Sequence, residues 1–152
     1  MTLRHARLPL PASVVLASLL CLGAPVAGAA EQRIECPPTV SEQDVALHAP
    51  AGWTAFVPSA LRLHSAAPMS GPPSDKADLV PTSVQKRRNG STERWELGAP
   101  LPGGTWMSCG YGLGNEVVLS RRIADDTSEC TVAYTKNRYG SMDLDIRCKS
   151  GK

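Results

Sequence analysis

Two segments near the end of the chain decide the fold: CTVAYTK at residues 130–136 and MDLDIRC at residues 142–148. In both, apolar and polar side chains alternate with the period of two that is typical of half-buried β-strands. A slip of one residue would turn Asp143 and Asp145 toward the core, so the register is well determined. Folding the segments about residues 138–140 predicts an antiparallel hairpin. Its opposed pairs are Tyr134–Leu144, Val132–Ile146 and Cys130–Cys148.

The start of the chain, residues 1–30, has the pattern of a secretory signal peptide. Two arginines precede an apolar stretch at residues 8–22, and small residues suited to signal peptidase follow it. The stretch of about 15 residues is shorter than the ~20 that span a bilayer, so no stable membrane span is expected. We expect cleavage after Ala29 or Ala30, which leaves a single disulfide-linked, β-rich domain at residues 31–152.

Cys21 raises the alternative of a lipoprotein, in which this cysteine would carry the lipid. Leu20 stands where such signals have a small residue, and Ser18 stands where they usually have leucine. A cysteine that is removed with the signal peptide is the better interpretation, so we expect the mature chain to be an exported protein without a lipid anchor.

The mature chain is expected to carry no net charge. Loss of the signal peptide removes Arg4 and Arg7 from the 16 basic residues and leaves 14, against 14 acidic residues. Such a chain has no long-range field that attracts nucleic acid or anionic lipid, so neither is expected as a partner. The run Lys86, Arg87 and Arg88 is expected at the solvated end of a hairpin rather than in a binding patch.

Four cysteines remain in the mature chain, an even number that favours two disulfides in an exported domain. Three connectivities are possible for four cysteines. The C-terminal hairpin pairs Cys130 with Cys148, which leaves Cys36 for Cys109. Zinc is the alternative, but the chain has no C-x-x-C pair, so we expect neither a metal nor a cofactor.

Two further hairpins are predicted upstream. Asn89-Gly90 tolerates positive φ at both turn positions. A turn there opposes Lys86 to Glu93 and Val84 to Trp95. Residues 112–115 predict a second turn, between strands at 105–111 and 116–120. The fold class expected is therefore mainly β: a small antiparallel meander or sandwich with two disulfides.

The segment 37–81 is rich in proline, which prevents a long helix and confines strands to sheet edges. Residues 52–57 and 61–64 fit short strands. Residues 69–78 are rich in Pro, Ser and Gly, and they fit a mobile loop.

His48 and His64 are the histidines of the mature chain. Neither can be assigned to a Ser/His/Asp or Cys/His arrangement, because the cysteines are better used as bridges. The sequence therefore gives no catalytic residue. In a chain with one phenylalanine the tryptophans are expected to fill the core. These are Trp53, Trp95 and Trp106.

Short sequence blocks spread over the mature chain carry a resemblance. They are IECPP (34–38), GW (52–53), WEL (95–97), WMSCGY (106–111), CTVAY (130–134) and IRC (146–148). With its IECPP start and its W-x-x-C-x-Y motif, the chain resembles a family of small exported proteins of Gram-negative bacteria. The resemblance implies a periplasmic location and transfers no catalytic residue.

Two functions follow as hypotheses. The first is a non-enzymatic periplasmic protein that binds another periplasmic or envelope protein, as an inhibitor or immunity-type partner of an envelope-acting enzyme. A rigid, disulfide-linked β scaffold can present loops for that purpose. The alternative is a small periplasmic hydrolase or ligand-handling enzyme that uses His48 or His64. A protruding loop or an exposed sheet edge would favour the first, and a pocket that unites a histidine with a carboxylate would favour the second.

N-terminal sequencing of the exported protein is expected to begin at Ala30 or Glu31, because the small residues before them fit signal peptidase. Intact mass measured on the same sample gives an independent check. A mature protein that begins at a lipid-modified Cys21 would contradict the prediction.

Overall fold

The computed structural model describes residues 30–98 and 100–151, which form nine β-strands and two short 3-10 helices. The predicted signal peptide, apart from Ala30, lies outside the described residues. Within the described part, no helix is long and apolar enough to cross a membrane. The strands are β1 (Glu31–Ile34), β2 (Thr39–Val40), β3 (Leu61–Ser70), β4 (Ser83–Arg87), β5 (Gly90–Glu96), β6 (Thr105–Tyr111), β7 (Val117–Arg122), β8 (Thr127–Lys136) and β9 (Met142–Ser150), and the 3-10 helices are Glu42–Asp44 and Pro73–Asp75.

The strands form two antiparallel sheets that pack as a sandwich. Sheet 1 has the order β1-β9-β8-β5-β4, and sheet 2 has the order β2-β3-β6-β7. The predicted mainly β, antiparallel class is confirmed, with the sandwich rather than a continuous meander. All three predicted hairpins are present, but the connections after β5 and after β7 cross between the sheets. The β6–β7 hairpin therefore pairs with β3 instead of lying between its sequence neighbours.

The β8–β9 hairpin has the predicted register. Tyr134 pairs with Leu144, Val132 with Ile146, and Cys130 with Cys148. The side chains of Val132 and Ile146 are buried. On the other face, Asp145 forms ion pairs with Arg33 at 3.0 Å and with Arg147 at 2.8 Å. The acidic row thus lies outward, as the alternation of the sequence requires.

The β4–β5 turn lies one residue before its predicted position, which shifts the pairing of the two strands by two residues. Its turn residues are Arg88 and Asn89, and Gly90 is the first residue of β5. The observed pairs include Val84–Glu93 and Lys86–Ser91. A Cβ at position 90 would collide with the carbonyl oxygen of Tyr134, so this glycine is needed for close approach to β8 rather than for the turn. A shift of two preserves which side chains share a face.

Strand β3 is longer than predicted, and the strand predicted at residues 52–57 is not formed. β3 runs from Leu61 to Ser70 and includes Pro68, which lacks the N–H that a ladder needs. The carbonyl of Pro68 accepts a hydrogen bond from the Leu79 N–H at 3.1 Å, on the side of β3 that faces away from β6. The Pro68 nitrogen points to the same side, so no hydrogen bond to β6 is lost.

A β-bulge makes this arrangement possible. The register of β3 against β6 shifts between Leu63 and Ser65. The backbone groups that face away from β6 therefore belong to odd-numbered residues before His64 and to even-numbered residues after it. The segment after the strand then folds back along the same side, where the Ser70 N–H donates to the Ala77 carbonyl at 3.0 Å. The stretch predicted as a loop at 69–78 is therefore fastened to β3 over part of its length.

The core lies between the sheets. Trp95 is 2% exposed, and its ring N–H donates to the Leu79 carbonyl at 2.9 Å, which satisfies the one polar atom of this large side chain. Its buried neighbours come from both sheets. They are Ile34, Ala66, Leu97, Met107, Ile123, Cys130, Val132, Ile146 and Cys148.

Both predicted disulfides are formed. Cys130–Cys148 joins adjacent strands inside the main core, and Cys36–Cys109 joins the passage between β1 and β2 to strand β6. A second apolar cluster of Val40, Cys109 and Tyr111 surrounds the latter bridge. Cys36 packs against both clusters and so makes the core continuous.

Replacement of Cys36 and Cys109 by alanine is expected to lower the free energy of unfolding by about 4 kcal/mol, against about 3 kcal/mol for Cys130 and Cys148. The separations of 73 and 18 residues set this order, because a longer closed loop restricts the unfolded chain more. Urea unfolding of the oxidised mature proteins measures both. The reverse order would show that packing of the buried Cys130 and Cys148 sulfurs outweighs chain restriction.

Candidate interaction surfaces

The two histidines occupy different environments. His48 is exposed between β2 and β3, whereas His64 is half-buried at the bulge of β3. His64 lines a shallow groove of about 310 Å³ together with Glu93 and Tyr134. It also lines a groove of about 470 Å³ that includes Glu116. The structure therefore brings one predicted histidine near carboxylates and leaves the other in solvent.

Tyr134 and Glu93 have a structural role in the smaller groove. The Tyr134 hydroxyl donates to the Ala66 carbonyl at 3.1 Å and accepts from the Ala66 N–H at 3.4 Å, which joins sheet 1 to sheet 2. Burial raises the pKa of Tyr134 to about 12, so the hydroxyl stays protonated and keeps donating. Burial also raises the pKa of Glu93, opposed by its hydrogen bond with Tyr134.

The basic run at the β4–β5 hairpin is a solvated end. Lys86, Arg87 and Arg88 are exposed, and they form no ion pair with any residue in the described ranges. Lys136 lies beside them, since its backbone N–H donates to the Asn89 carbonyl at 2.8 Å. This agrees with the interpretation of the run from sequence.

Each sheet ends in an exposed strand. All five residues of β4 are exposed at the edge of sheet 1. At the edge of sheet 2, β7 exposes Val118 and Leu119. A strand at a sheet edge has backbone groups on its outer side that another chain can pair with. Exposed sheet edges of this kind favour a binding protein over an enzyme.

The connection between β2 and β3, residues 41–60, is here called the aromatic loop. Apart from the 3-10 helix Glu42–Asp44 it has no regular structure. Trp53 is 77% exposed and Phe56 is 76% exposed. Irregular connections longer than about 12–15 residues are uncommon in compact domains and are often functional. The loop is the second feature that favours a binding protein.

The prediction that all three tryptophans fill the core is wrong for Trp53. Trp95 is buried as predicted, and Trp106 is half-buried with its ring N–H donating to the Gly103 carbonyl at 3.3 Å. The prediction rested on the scarcity of aromatic residues. The sequence signal that pointed the other way is the pair Pro50 and Pro58, which flanks Trp53 and disfavours a regular strand between them.

A rigid sandwich that presents a long aromatic loop and two open sheet edges is typical of proteins that act by binding other proteins. Residues 58–149 match the family model of the Type VI secretion system Tli immunity protein. The chain therefore belongs to this family, and it is a non-enzymatic, immunity-type binding partner of an envelope-acting effector. Comparisons with curated proteins and with solved structures gave no match.

Family membership decides between the two functional hypotheses. Immunity proteins of this kind are non-enzymatic, so the alternative of a hydrolase that uses His48 or His64 is not supported. The W-x-x-C-x-Y motif at 106–111 lies inside the matched region, and the IECPP block at 34–38 precedes it. The resemblance to small exported proteins of Gram-negative bacteria thus narrows to a secretion-related immunity family.

Glu93→Gln is expected to raise the melting temperature at pH 7 and to change little at a pH well below 4.5. Burial raises the pKa of folded Glu93 above its ordinary 4.5. Folding therefore favours the protonated carboxyl, and the wild type loses stability as the pH rises from 4.5 through the folded pKa. Glutamine does not titrate and so avoids this loss.

Calorimetry at pH 3.5, 5.5 and 7.5 measures the difference. Glu42→Gln, at an exposed position, serves as the matched control and is expected to give the same small change at each pH. A melting temperature that falls with Glu93→Gln at pH 7 would show that the charged carboxylate stabilises the fold.

Proposed function

We propose that the chain is exported, loses residues 1–30, and in the periplasm neutralises an envelope-acting type VI secretion effector by binding it directly. The observation that carries this proposal is the match to the immunity family over residues 58–149. Apart from its first three residues, this region extends from the start of β3 to within one residue of the end of β9. It therefore includes both hairpins of sheet 1 and the main strands of sheet 2.

The cysteines support a periplasmic site of action. Disulfides form and persist in the periplasm, whereas the cytosol keeps thiols reduced. Cys36–Cys109 joins elements that are 73 residues apart in sequence, and Cys130–Cys148 joins two adjacent core strands. The folded state therefore depends on an oxidising compartment. Cleavage after Ala29 or Ala30 also leaves β1 complete, since that strand begins at Glu31 and pairs with β9.

The architecture supports neutralisation by a preformed surface. One bridge lies within sheet 1, and the other joins the connection between β1 and β2 to sheet 2. A sandwich held in this way loses little further freedom when a partner binds, so less of the interaction energy is spent on ordering. An inhibitor of this type acts stoichiometrically, because it blocks its partner by contact and consumes nothing.

Cells that make the cognate effector in the periplasm test the proposal. The full chain is expected to restore growth, whereas residues 31–152 made without the signal peptide are expected to give no protection, because they remain in the cytoplasm with reduced cysteines. Purified mature protein is expected to form a 1:1 complex with the effector in size-exclusion chromatography with light scattering.

His64→Ala serves as the control, since a binding protein has no need of this histidine for chemistry. It is expected to protect as well as the wild type does. Loss of protection by His64→Ala with an unchanged melting temperature would support the enzyme alternative. Full protection by the cytoplasmic form would contradict the periplasmic site of action.

A further inference from the structure

The aromatic loop exposes an unusual share of the aromatic residues of this chain. The chain has three tryptophans, three tyrosines and one phenylalanine. Trp53 and the single phenylalanine, Phe56, both project from this loop with about three quarters of their surface in water. Large aromatic side chains, tryptophan above all, are enriched among the anchors that dominate protein–protein interfaces.

The base of the loop is firmly held. Val45, at the start of the loop, packs against the cluster of Val40, Cys109 and Tyr111. The hydroxyl of Tyr111 donates to the Pro37 carbonyl at 2.9 Å, just before β2. A backbone hydrogen bond of 3.0 Å from Trp53 to Pro50 closes a turn that places Trp53 at its end. The loop therefore presents its aromatic residues from a fixed platform.

An apolar groove of about 450 Å³ adjoins the platform. One wall comes from the loop, with Val45 and Ala46, and the opposite wall comes from Val117 and Leu119 of the edge strand β7. The groove joins the base of the aromatic loop to the edge of sheet 2, so a partner that contacts the loop can also bury apolar side chains of β7.

The aromatic loop itself carries acidic but no basic residues. Residues 41–60 contain Glu42 and Asp44 and no lysine or arginine. The loop thus combines exposed aromatic side chains with two carboxylates, of which Asp44 lines the groove. Its complement on a partner is an apolar cleft with a basic rim, because opposite potentials across an interface guide association and favour the correct partner.

We propose that the aromatic loop is the surface by which this chain binds its effector, with Trp53 and Phe56 entering an apolar, basic-rimmed cleft of the effector. The proposal rests on the proposed function, since it takes the effector as the occupant. It assigns Trp53 and Phe56 as the anchors and Glu42 and Asp44 as the charges that guide the encounter.

Alanine variants of the mature protein test the anchors. Trp53→Ala and Phe56→Ala are each expected to weaken effector binding by about tenfold or more, and the double variant by about 100-fold or more. The control is the double variant Val80→Ala/Tyr139→Ala, which removes side chains of similarly high exposure outside the loop and is expected to change affinity by less than about threefold. Calorimetry on each variant confirms that the fold is kept.

Two further measurements separate a direct contact from an indirect effect. Binding is expected to shift the tryptophan emission of the wild type to shorter wavelength, and this shift is expected to be lost in Trp53→Phe. Glu42→Lys/Asp44→Lys is expected to slow association about tenfold at low salt, with a smaller effect in 0.5 M NaCl, because salt screens exposed charges.

The outcomes distinguish this proposal from the function it rests on. If the wild-type mature protein fails to bind the effector, the proposed function is wrong. If the wild type binds and Trp53→Ala/Phe56→Ala binds equally well, the function stands and the loop proposal is wrong. The loop proposal is also overturned if the double variant loses only self-association, or only binding to anionic phospholipid vesicles, and keeps its affinity for the effector.

Discussion

The disulfide between Cys36 and Cys109 holds the chain where it passes from one sheet to the other. Cys36 lies between β1 of sheet 1 and β2 of sheet 2, and Cys109 belongs to an inner strand of sheet 2. Tyr111 adds a hydrogen bond from the same strand to Pro37. Because the two apolar clusters also meet at Cys36, sheet 2 cannot slide against β1 without disturbing the bridge, the hydrogen bond and the core together. The same contacts hold the base of the aromatic loop in place.

A second contact between the two sheets depends on the β-bulge in β3. The bulge at His64 changes which backbone groups face the open side of the strand. From Ala66 onward those groups are satisfied by the Tyr134 hydroxyl and by the segment that follows β3 rather than by another strand. Pro68 is tolerated because its nitrogen faces this side. The groove that contains His64 is thus a consequence of how the two sheets meet, which explains carboxylates near a histidine without invoking catalysis.

Local pattern predicted those parts of the fold in which one register buries every apolar side chain. In the β8–β9 hairpin, a slip of one residue would bury Asp145 and expose Ile146, and the pairing about residues 138–140 opposes Cys130 to Cys148, so local sequence predicted both the register and one disulfide. The β4–β5 turn lies one residue, and its strand register two residues, from the prediction because Gly90 is required by contact with Tyr134 on β8, a constraint that is absent from the local sequence. The exposure of Trp53 could not be predicted from composition, which cannot say which aromatic residues the core takes; the flanking Pro50 and Pro58 are the sequence signal against a core strand there.

The two disulfides and the exposed aromatic residues are connected energetically. Burial of one large apolar side chain contributes about 1.5–3 kcal/mol, and a protein of this size has a net stability of about 5–15 kcal/mol. Leaving Trp53 and Phe56 in water therefore forgoes a substantial part of the stability that so few aromatic residues could provide. The disulfides, with sequence separations of 73 and 18 residues, stabilise the fold by about 4 and about 3 kcal/mol because they restrict the unfolded chain. This stabilisation offsets that loss. Because cross-links stabilise the sandwich, its aromatic side chains are free to serve at the surface, where a binding partner can bury them.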